Sequence, residues 1–162
     1  MTATPPLPAA AQRVAEQLAA LGAPVAVRHL ATSARTAQQA ADALGVEVGQ
    51  IAKSLVFRAC ASDRAVLVIA AGARRVDEAS LAALVGEPIE RATPEFVRAR
   101  SGFAIGGVAP VGHMQPMLTL VDRSLRRFAE LWAAAGHPHC VFPIDPSSLL
   151  RVSGGVEADL TA

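Results

Sequence analysis

The sequence predicts a single α/β domain in which helices surround a mixed, largely antiparallel β-sheet or partial barrel. Three observations lead to this fold class. The chain has 162 residues, which suits one domain, and 52% of them are hydrophobic, enough to build a core. Predicted helices alternate with short apolar strands along the chain. Two neighbouring strands are separated by a tight turn, and a hairpin of this kind argues against a purely parallel, doubly wound sheet.

The first half of the chain divides at proline, glycine and serine residues. Residues 1–8 are rich in proline and are expected to form a flexible N-terminus, which leaves 9–162 as the domain. Apolar residues recur at helical spacing in some segments and form short continuous runs in others. In chain order, these patterns predict a helix over 9–21, a strand over 25–30, a helix capped by Ser33 and ended by Gly45, strands over 51–60 and 65–71 joined by a turn at Ser62-Asp63, and a helix over 76–85.

The second half opens with a clear helix signal, Thr93-Pro94-Glu95, which supplies a capping hydroxyl, a proline at the first helical position and an acid in the first turn. Phe103 begins a predicted strand that runs into a glycine-rich loop, Gly106–His113. The remaining elements, in chain order, are a short strand at 88–91 before this helix, a strand at 118–121, a segment at 124–135 compatible with helix or strand, a strand at 140–144, and a last helix opened by Asp145-Pro146 and broken at Gly154-Gly155.

Charge and composition exclude several classes of protein. A net charge of +1 gives no global sign of a nucleic-acid binder, although arginines concentrate in 74–100 and 123–127. No apolar run approaches the roughly 20 residues that a membrane helix needs, and the N-terminus lacks the basic start and apolar block of a signal peptide. A cytoplasmic location without membrane contact is therefore expected. Cys60 and Cys140 are too few for a disulfide framework and are expected to be reduced and buried.

Lys53 is unusual because the chain contains 14 arginines and only this one lysine. A bias that replaces lysine by arginine wherever any cation suffices would leave a lysine only where a guanidinium does not fit. Lysine differs from arginine in carrying a compact, rotatable point charge. The alternative is chance survival at a strand edge with the ammonium in water. On this pattern alone, both interpretations stay open.

The glycine-rich loop is the second candidate for function. Gly106 and Gly107 allow a close backbone approach or positive φ angles, so that peptide N–H groups can point at a carbonyl oxygen or a phosphate. A structural turn is the alternative. The loop lacks the spacing of a P-loop or of a dinucleotide-binding motif. The chain also lacks a G-x-S-x-G elbow and an H-E-x-x-H motif, and no pair of carboxylates suits acid–base chemistry. A metal site built from His137, His139 and Cys140 is a weak alternative.

Several segments together resemble the YbaK/EbsC family, the free-standing relatives of the editing domain of bacterial prolyl-tRNA synthetase. The resemblance covers about residues 10–160, and the lysine-bearing strand followed by the Gly-Gly-x-x-Pro-x-Gly loop carries most of it. The segments, in family order, are Ala34-Arg35-Thr36-Ala37, Gln50-Ile51-Ala52-Lys53-Ser54-Leu55-Val56-Phe57, Thr93-Pro94-Glu95, Ser101-Gly102-Phe103-Ala104-Ile105-Gly106-Gly107-Val108-Ala109-Pro110-Val111-Gly112-His113 and Gly136-His137-Pro138.

The resemblance implies a YbaK-like fold and hydrolysis of the ester that joins a wrong amino acid to tRNA. Family position implies that Lys53 is the active-site lysine and that the backbone of Gly106, Gly107 and Val108 surrounds the ester carbonyl and the 2′-hydroxyl. The same comparison implies substrate-facing positions in the walls of the site. These residues are His29, Thr36, Ala109, Pro110, Gly112 and His113.

The form of the glycine-rich loop is similar to the branch of the family that acts on alanine or other small residues. The cysteine-specific branch carries a tyrosine near the position of His29, whereas this chain contains no tyrosine. Its later acidic residue has only Asp145 as a candidate counterpart here. Cysteine-selective chemistry is therefore not expected.

The leading hypothesis is a metal-independent, cofactor-free aminoacyl-tRNA deacylase that edits small residues, with alanine on tRNA for proline as the first candidate. An aminoacyl ester is labile, so backbone donors and the vicinal hydroxyl suffice as catalysts. Expected partners are the acceptor end of aminoacyl-tRNA and prolyl-tRNA synthetase, and the chain is expected to be a monomer or weak homodimer. The alternatives are a non-catalytic tRNA-binding module or translation regulator, and a different esterase.

Overall fold

The computed structural model describes residues 6–32 and 34–162, which form five α-helices and eight strands around one sheet. Two short 3₁₀ segments, Val48–Gln50 and Arg123–Arg127, precede β2 and β6. The helices are α1 (Ala9–Ala20), α2 (Ala37–Leu44), α3 (Glu78–Val85), α4 (Pro94–Ser101) and α5 (Pro146–Ser153). The strands are β1 (Arg28–His29), β2 (Ile51–Ala59), β3 (Arg64–Ala71), β4 (Ile89–Arg91), β5 (Leu118–Asp122), β6 (Leu131–His137), β7 (Cys140–Ile144) and β8 (Val156–Ala158).

The sheet is mixed, in the order β1-β7-β6-β2-β3-β5-β8, with β4 as an extra strand beside β2. The β2–β3 hairpin is its centre and pairs eight residues of each strand, from Ala52 opposite Ala71 to Ala59 opposite Arg64. β6 pairs with β2, β5 with β3, and β8 with β5, all in parallel, while β1, β4 and β7 pair antiparallel to their neighbours. The predicted mixed α/β fold is thus confirmed.

One edge of β2 is split between two partners. Its first residues, Ile51 and Ala52, pair with β6, and its last, Phe57–Ala59, pair with β4. The residues between them have no strand partner on that edge in the described part of the chain. The Val56 carbonyl accepts from the Ala92 N–H at 3.2 Å, which closes the gap on the β4 side. Because peptide groups alternate in direction along a strand, those of Ser54 point toward the same open edge as those of Val56.

The core lies on both faces of the sheet. One face packs against α1 and α5 and includes the buried rings of Phe103 and Phe142, and on the opposite face Phe57 of β2 shares a cluster with Leu81 of α3. A third cluster lies under α2, whose alanines bring the helix close to β2. At Gly72 this approach leaves no room for a side chain, since a Cβ there would lie 2.7 Å from the Cβ of Ala37.

The helix caps explain most of the predicted boundaries. Thr93, Asp77 and Asp145 each accept from backbone N–H groups at the start of α4, α3 and α5. The predicted cap Ser33 lies outside the described residues, and α2 instead begins after Thr36, which forms a capping box with Gln39.

Three other predictions differ from the structure, whereas the segment 124–135, left open between helix and strand, divides into a 3₁₀ turn and the start of β6. The strand predicted over 25–30 is reduced to Arg28–His29. No strand begins at Phe103, because residues 102–117 form one continuous loop between α4 and β5. Cys60 was expected to be buried but is exposed, because β2 ends one residue earlier and Cys60 starts the hairpin turn.

The N-terminal segment is described from Pro6 onward. Leu7 packs against the core, and its carbonyl accepts from the Gln12 side chain at 2.8 Å. Residues 1–5 lie outside the described part, so the predicted flexibility of 1–8 stays a prediction for them. Within the described residues, no helix has the length and apolar character required to cross a membrane.

Candidate active site

A cavity of about 230 Å³ opens beside the split edge of β2. Its walls come from the segment before α2, the start of β2, the 102–117 loop and the neighbouring strands β6 and β7. Among the described residues that line it, none is Asp, Glu, Cys or His. The polar and loop residues of the wall are Arg35, Thr36, Lys53, Ser54, Ile105, Gly106, Val108 and Trp132.

A second cavity of about 170 Å³ adjoins the first on the β4 side. The two share Ser54 and Leu55 of β2 and the loop residues Ile105, Gly106 and Val108. The second is mostly apolar and is bordered by the cation of Arg91. The Ile105–Gly106 turn therefore divides one cleft into two lobes, and both lobes follow the unpaired edge of β2.

Lys53 supplies positive charge to the wall of the larger cavity. Its side chain is half-buried, and its Nζ donates to the Arg74 carbonyl at 2.7 Å. Burial lowers the pKa of Lys53, and the positive charges of Arg91 and Arg75 lower that pKa further. No carboxylate forms an ion pair with Lys53 among the described residues. The ammonium is therefore available to a negatively charged group of a ligand.

The two adjacent glycines of the glycine-rich loop play different structural roles. Gly106 has φ +90°, and a Cβ there would lie 3.3 Å from Arg35, so the glycine provides both the torsion and the close contact. Gly107 lies against the backbone of His137, where a Cβ would approach the His137 Cα to 3.0 Å. Its N–H is used inside the loop, donating to the Ala104 carbonyl at 3.0 Å. In the described structure, the N–H groups of Gly106 and Val108 have no protein acceptor.

Two buried polar side-chain atoms at the cavity also lack a partner in the described structure, Ser54 Oγ and Trp132 Nε1. Buried polar atoms are normally paired, so unpaired ones in a cavity wall indicate a place where a ligand or water completes the bonding. Sequence reasoning missed both residues. Trp132 is the only tryptophan in the chain, which was the one available signal for it.

Three histidines form a cluster that does not line the cavity. The His139 ring lies 5.8 Å from His29 and 5.4 Å from His137, measured between centroids. Burial lowers the pKa of His137, and the charges of His139, His29 and Arg35 lower that pKa further, which favours the neutral ring. β1 brings His29 into the cluster through its pairing with Cys140.

The structure brings four of the predicted site residues to one cavity: Lys53, Thr36, Gly106 and Val108. The Thr36 oxygen already accepts from the Gln39 N–H at 3.1 Å as the cap of α2. His29 belongs to the histidine cluster. Ala109 is fully buried, while Pro110, Gly112 and His113 line an open groove on the far side of the loop.

His113 has a clear contact on that far side. Its Nε2 lies 2.7 Å from the Ala109 carbonyl, and its ring meets the edge of Phe103. Burial lowers the pKa of His113, the bond to Ala109 opposing it, so the neutral ring is favoured. The side chain holds the loop together and does not face the cavity.

The weak alternative of a metal site finds no support in residues 6–32 and 34–162, where no group of three or more His, Cys, Asp or Glu could hold an ion. Cys140 is fully buried, and burial raises the pKa of its thiol, so it is a poor source of thiolate.

The fold is that of the aminoacyl-tRNA editing domain. The family model of the aminoacyl-tRNA editing domain matches residues 31–152, and the chain belongs to this family of tRNA deacylases. A crystal structure described as a candidate trans-editing enzyme for prolyl-tRNA synthetase is 44% identical, with a TM-score of 0.91 over 97% of this chain and 99% of that one.

Two sequence relatives each align with 127 residues, or 78% of the chain. YwhH of Bacillus subtilis, an uncharacterised protein, is 33% identical over 80% of its length. EbsC of Enterococcus faecalis, named as a candidate Cys-tRNA(Pro)/Cys-tRNA(Cys) deacylase, is 26% identical over 77% of its length. The predicted membership in the YbaK/EbsC group is thereby confirmed.

Proposed function

We propose that this protein is a metal-independent trans-editing deacylase that removes alanine, or another small residue, from tRNA for proline. The observation that carries the proposal is the convergence of Lys53 with the unpaired N–H groups of Gly106 and Val108 at one small cavity. Its volume, about 230 Å³, lies below the range of roughly 300–1,000 Å³ found for pockets that bind drug-sized ligands. An aminoacyl group with part of its ribose suits such a space.

In the proposed reaction, a water oxygen attacks the ester carbonyl, and the carbonyl oxygen becomes negatively charged. The N–H groups of Gly106 and Val108 donate to this oxyanion. The bond between the carbonyl carbon and the ribose oxygen then breaks, that oxygen takes a proton, and free amino acid and tRNA leave. Because the cavity wall holds no carboxylate, cysteine or histidine among the described residues, the ribose 2′-hydroxyl is proposed to orient the water and relay the proton.

Lys53 is proposed to hold the substrate by charge, through a phosphate of the terminal nucleotides, with Arg35 as a second cation at the cavity wall. Side-chain selection is proposed to follow size. A wall of alanines, Val108 and Trp132 admits a methyl group, and the proline ring is excluded for lack of room. Exclusion by size is the effective rule in an editing site, because a synthetic site cannot strongly reject a smaller residue.

The proposed substrate also defines the partners and place of action. The acceptor end of the tRNA enters the cleft, and prolyl-tRNA synthetase is the enzyme whose errors would be corrected. Translation takes place in the cytoplasm, so that is the proposed location. The assembly state is proposed to be a monomer or weak homodimer, because one chain carries every residue of the proposed site.

The first test is deacylation of tRNA for proline charged with alanine, cysteine or proline, with a chelator present. We expect rapid release of alanine and slow release of proline. We expect Lys53→Ala to lower kcat/KM by about 100-fold or more, because the charge that orients the substrate is lost. Arg127→Ala is the matched control, since Arg127 is an exposed cation outside the cleft, and should stay near the wild-type rate.

Release of none of the three amino acids would contradict editing of this tRNA. Saturable tRNA binding without turnover would instead support the non-catalytic binding module. An equal effect of Lys53→Ala and Arg127→Ala would remove Lys53 from the proposed mechanism while leaving the deacylase activity in place.

A further inference from the structure

A chain of three hydrogen bonds connects Lys53 to a buried carboxylate at the end of β5. Lys53 Nζ donates to the Arg74 carbonyl at 2.7 Å. The Arg74 side chain turns away from the cavity and donates from Nε to Thr161 Oγ1 at 2.6 Å. The Thr161 hydroxyl in turn donates to Asp122 Oδ2 at 3.0 Å. None of the last three residues lines the cavity.

Asp122, at the end of β5, is the fixed end of this chain. It is 2% exposed, and its Oδ1 accepts from the Leu160 N–H at 2.7 Å. Its Oδ2 also accepts from the N–H and the hydroxyl of Ser124. Burial raises the pKa of Asp122, but hydrogen bonds from Ser124, Leu160 and Thr161 outweigh it and hold the pKa below its ordinary value. The carboxylate therefore stays charged and keeps its bonds at neutral pH.

Backbone contacts attach residues 160–162 to the turn that carries Arg74. The Ala162 N–H donates to the Arg75 carbonyl at 3.1 Å, and the Asp77 N–H donates to the Leu160 carbonyl at 2.7 Å. Between them, Val76 and Thr161 form an isolated bridge. The turn after β3 is thus held against a second segment directly beside the carbonyl that accepts from Lys53.

We propose that Asp122 and Thr161 are positioning residues for Lys53, acting through Arg74. The proposal rests on the proposed function, in which the Lys53 ammonium holds the substrate. A lysine side chain has many rotamers, so its charge is useful at one point only if an acceptor is held still. The Arg74 carbonyl is that acceptor, and the Arg74–Thr161–Asp122 bonds fix the peptide that carries it.

The test replaces Thr161 by valine, which keeps the shape but removes the hydroxyl, and by serine, which keeps the hydroxyl. For Thr161→Val we expect kcat for alanine release to fall about tenfold while KM changes less than about twofold, and for Thr161→Ser we expect kcat near wild type. Thr119→Val is the matched control. Thr119 is a buried threonine on β5, and within the described residues its hydroxyl bonds to the Met117 carbonyl and to no part of the Arg74–Thr161–Asp122 chain.

A second measurement reports on Lys53 without any activity. Because the chain has one lysine, ¹³C-lysine labelling gives a single side-chain Cε signal in the NMR spectrum. We expect Thr161→Val to shift this signal toward that of a freely rotating lysine and Thr119→Val to leave it unchanged. The measurement is made at a temperature where both variants are folded.

The outcomes separate the two proposals. An active wild type with unchanged kcat in Thr161→Val, or an unchanged Lys53 signal, would overturn the positioning role and leave the deacylase intact. An inactive wild type would overturn the proposed function, while a shifted Lys53 signal in Thr161→Val would still establish the connection. A loss of kcat that serine fails to restore would also overturn the role of the hydroxyl.

Discussion

The two regions that meet at the cavity, strand β2 and the 102–117 loop, are held in place in very different ways. β2 pairs with β3 over eight consecutive residues, so the position of Lys53 follows from the register of the central hairpin. The loop contains no regular element, and a few separate bonds hold its shape: Gly107 to Ala104, His113 to Ala109, and Ser101 Oγ accepting from Phe103 at 3.0 Å. The charge of the site is thus built on rigid structure, and its backbone donors are built on a loop.

The largest expected difference between the two regions comes from Gly106→Ala compared with Gly45→Ala. Both glycines have positive φ, so each substitution should lower the free energy of unfolding by about 1–2 kcal/mol. Only Gly106 lies in the cavity wall and against Arg35. We expect Gly106→Ala to lower kcat/KM for alanine release about tenfold or more and Gly45→Ala to leave it nearly unchanged. Deacylation assays measure kcat/KM, and urea unfolding measures the loss of stability in each variant.

If both variants kept full activity, the Gly106 N–H would not be a donor in the reaction. If both lost activity equally, the loss would reflect stability and not the loop. The Lys53 NMR signal should stay unchanged in Gly106→Ala, because Lys53 Nζ bonds to the Arg74 carbonyl and Gly106 packs against Arg35 instead.

A smaller effect is expected when a hydrogen bond on the side of the loop away from the cavity is removed. His113→Phe keeps a ring against Phe103 but removes the bond to the Ala109 carbonyl. We expect unfolding to become easier by about 1 kcal/mol and kcat to fall a few-fold, because the donors become less fixed. Wild-type activity in a destabilised variant would show that this bond serves stability alone.

The same histidine gives a pH dependence with a defined sign. The pKa of His113 is lower in the folded chain than its ordinary value of 6.5. As pH falls from 6.5 toward that lower value, the unfolded chain binds the proton first, and the free energy of unfolding decreases. In urea unfolding, the free energy of unfolding of the wild type should therefore decrease on acidification through this range, and the His113→Phe variant should lack this part of the decrease.

The smallest expected effect lies on the strand and concerns the pKa of Lys53. Burial, Arg91 and Arg75 lower it from 10.5, so the ¹³C signal should titrate below that value. Arg91→Gln should raise the pKa of Lys53 toward 10.5. Arg98→Gln is the control and should leave this pKa unchanged, because Arg98 is an exposed arginine whose charge does not act on Lys53. Between the lowered pKa and 10.5 the unfolded chain binds more protons, so the free energy of unfolding rises with pH there. A titration unchanged by Arg91→Gln would contradict this origin of the shift.

The sequence allowed the strand to be predicted better than the loop, for a physical reason. An apolar run with turn residues after it determines a hairpin, and the lone lysine marked the position on it that is proposed to hold the substrate. The side to which each loop residue points depends on φ angles and a few long-range bonds, which leave no periodic trace. Gly107 and His113 were therefore both expected to face the substrate. In the structure, the Gly107 N–H bonds within the loop and the His113 ring lies on the side of the loop away from the cavity.

Long-range partners explain the remaining gaps. Arg74 and Thr161 share a hydrogen bond although they lie 87 residues apart in the sequence. Nothing in the sequence around either residue indicates this bond or its connection to Lys53. Trp132 and Ser54 belong to parallel neighbours whose pairing stops after two residues, so their unpaired atoms become visible only in three dimensions. Cys60 was misplaced because one residue decides whether a side chain ends a strand or starts a turn.

The split edge of β2 also bears on the tendency of the protein to aggregate. An open strand edge offers its peptide groups to any other chain and is a common starting point for aggregation. Here the open stretch lies inside the cleft, with Ile105 and Gly106 over it and β4 and β6 on either side. The unpaired peptide groups of β2 are thereby kept out of reach of a second sheet.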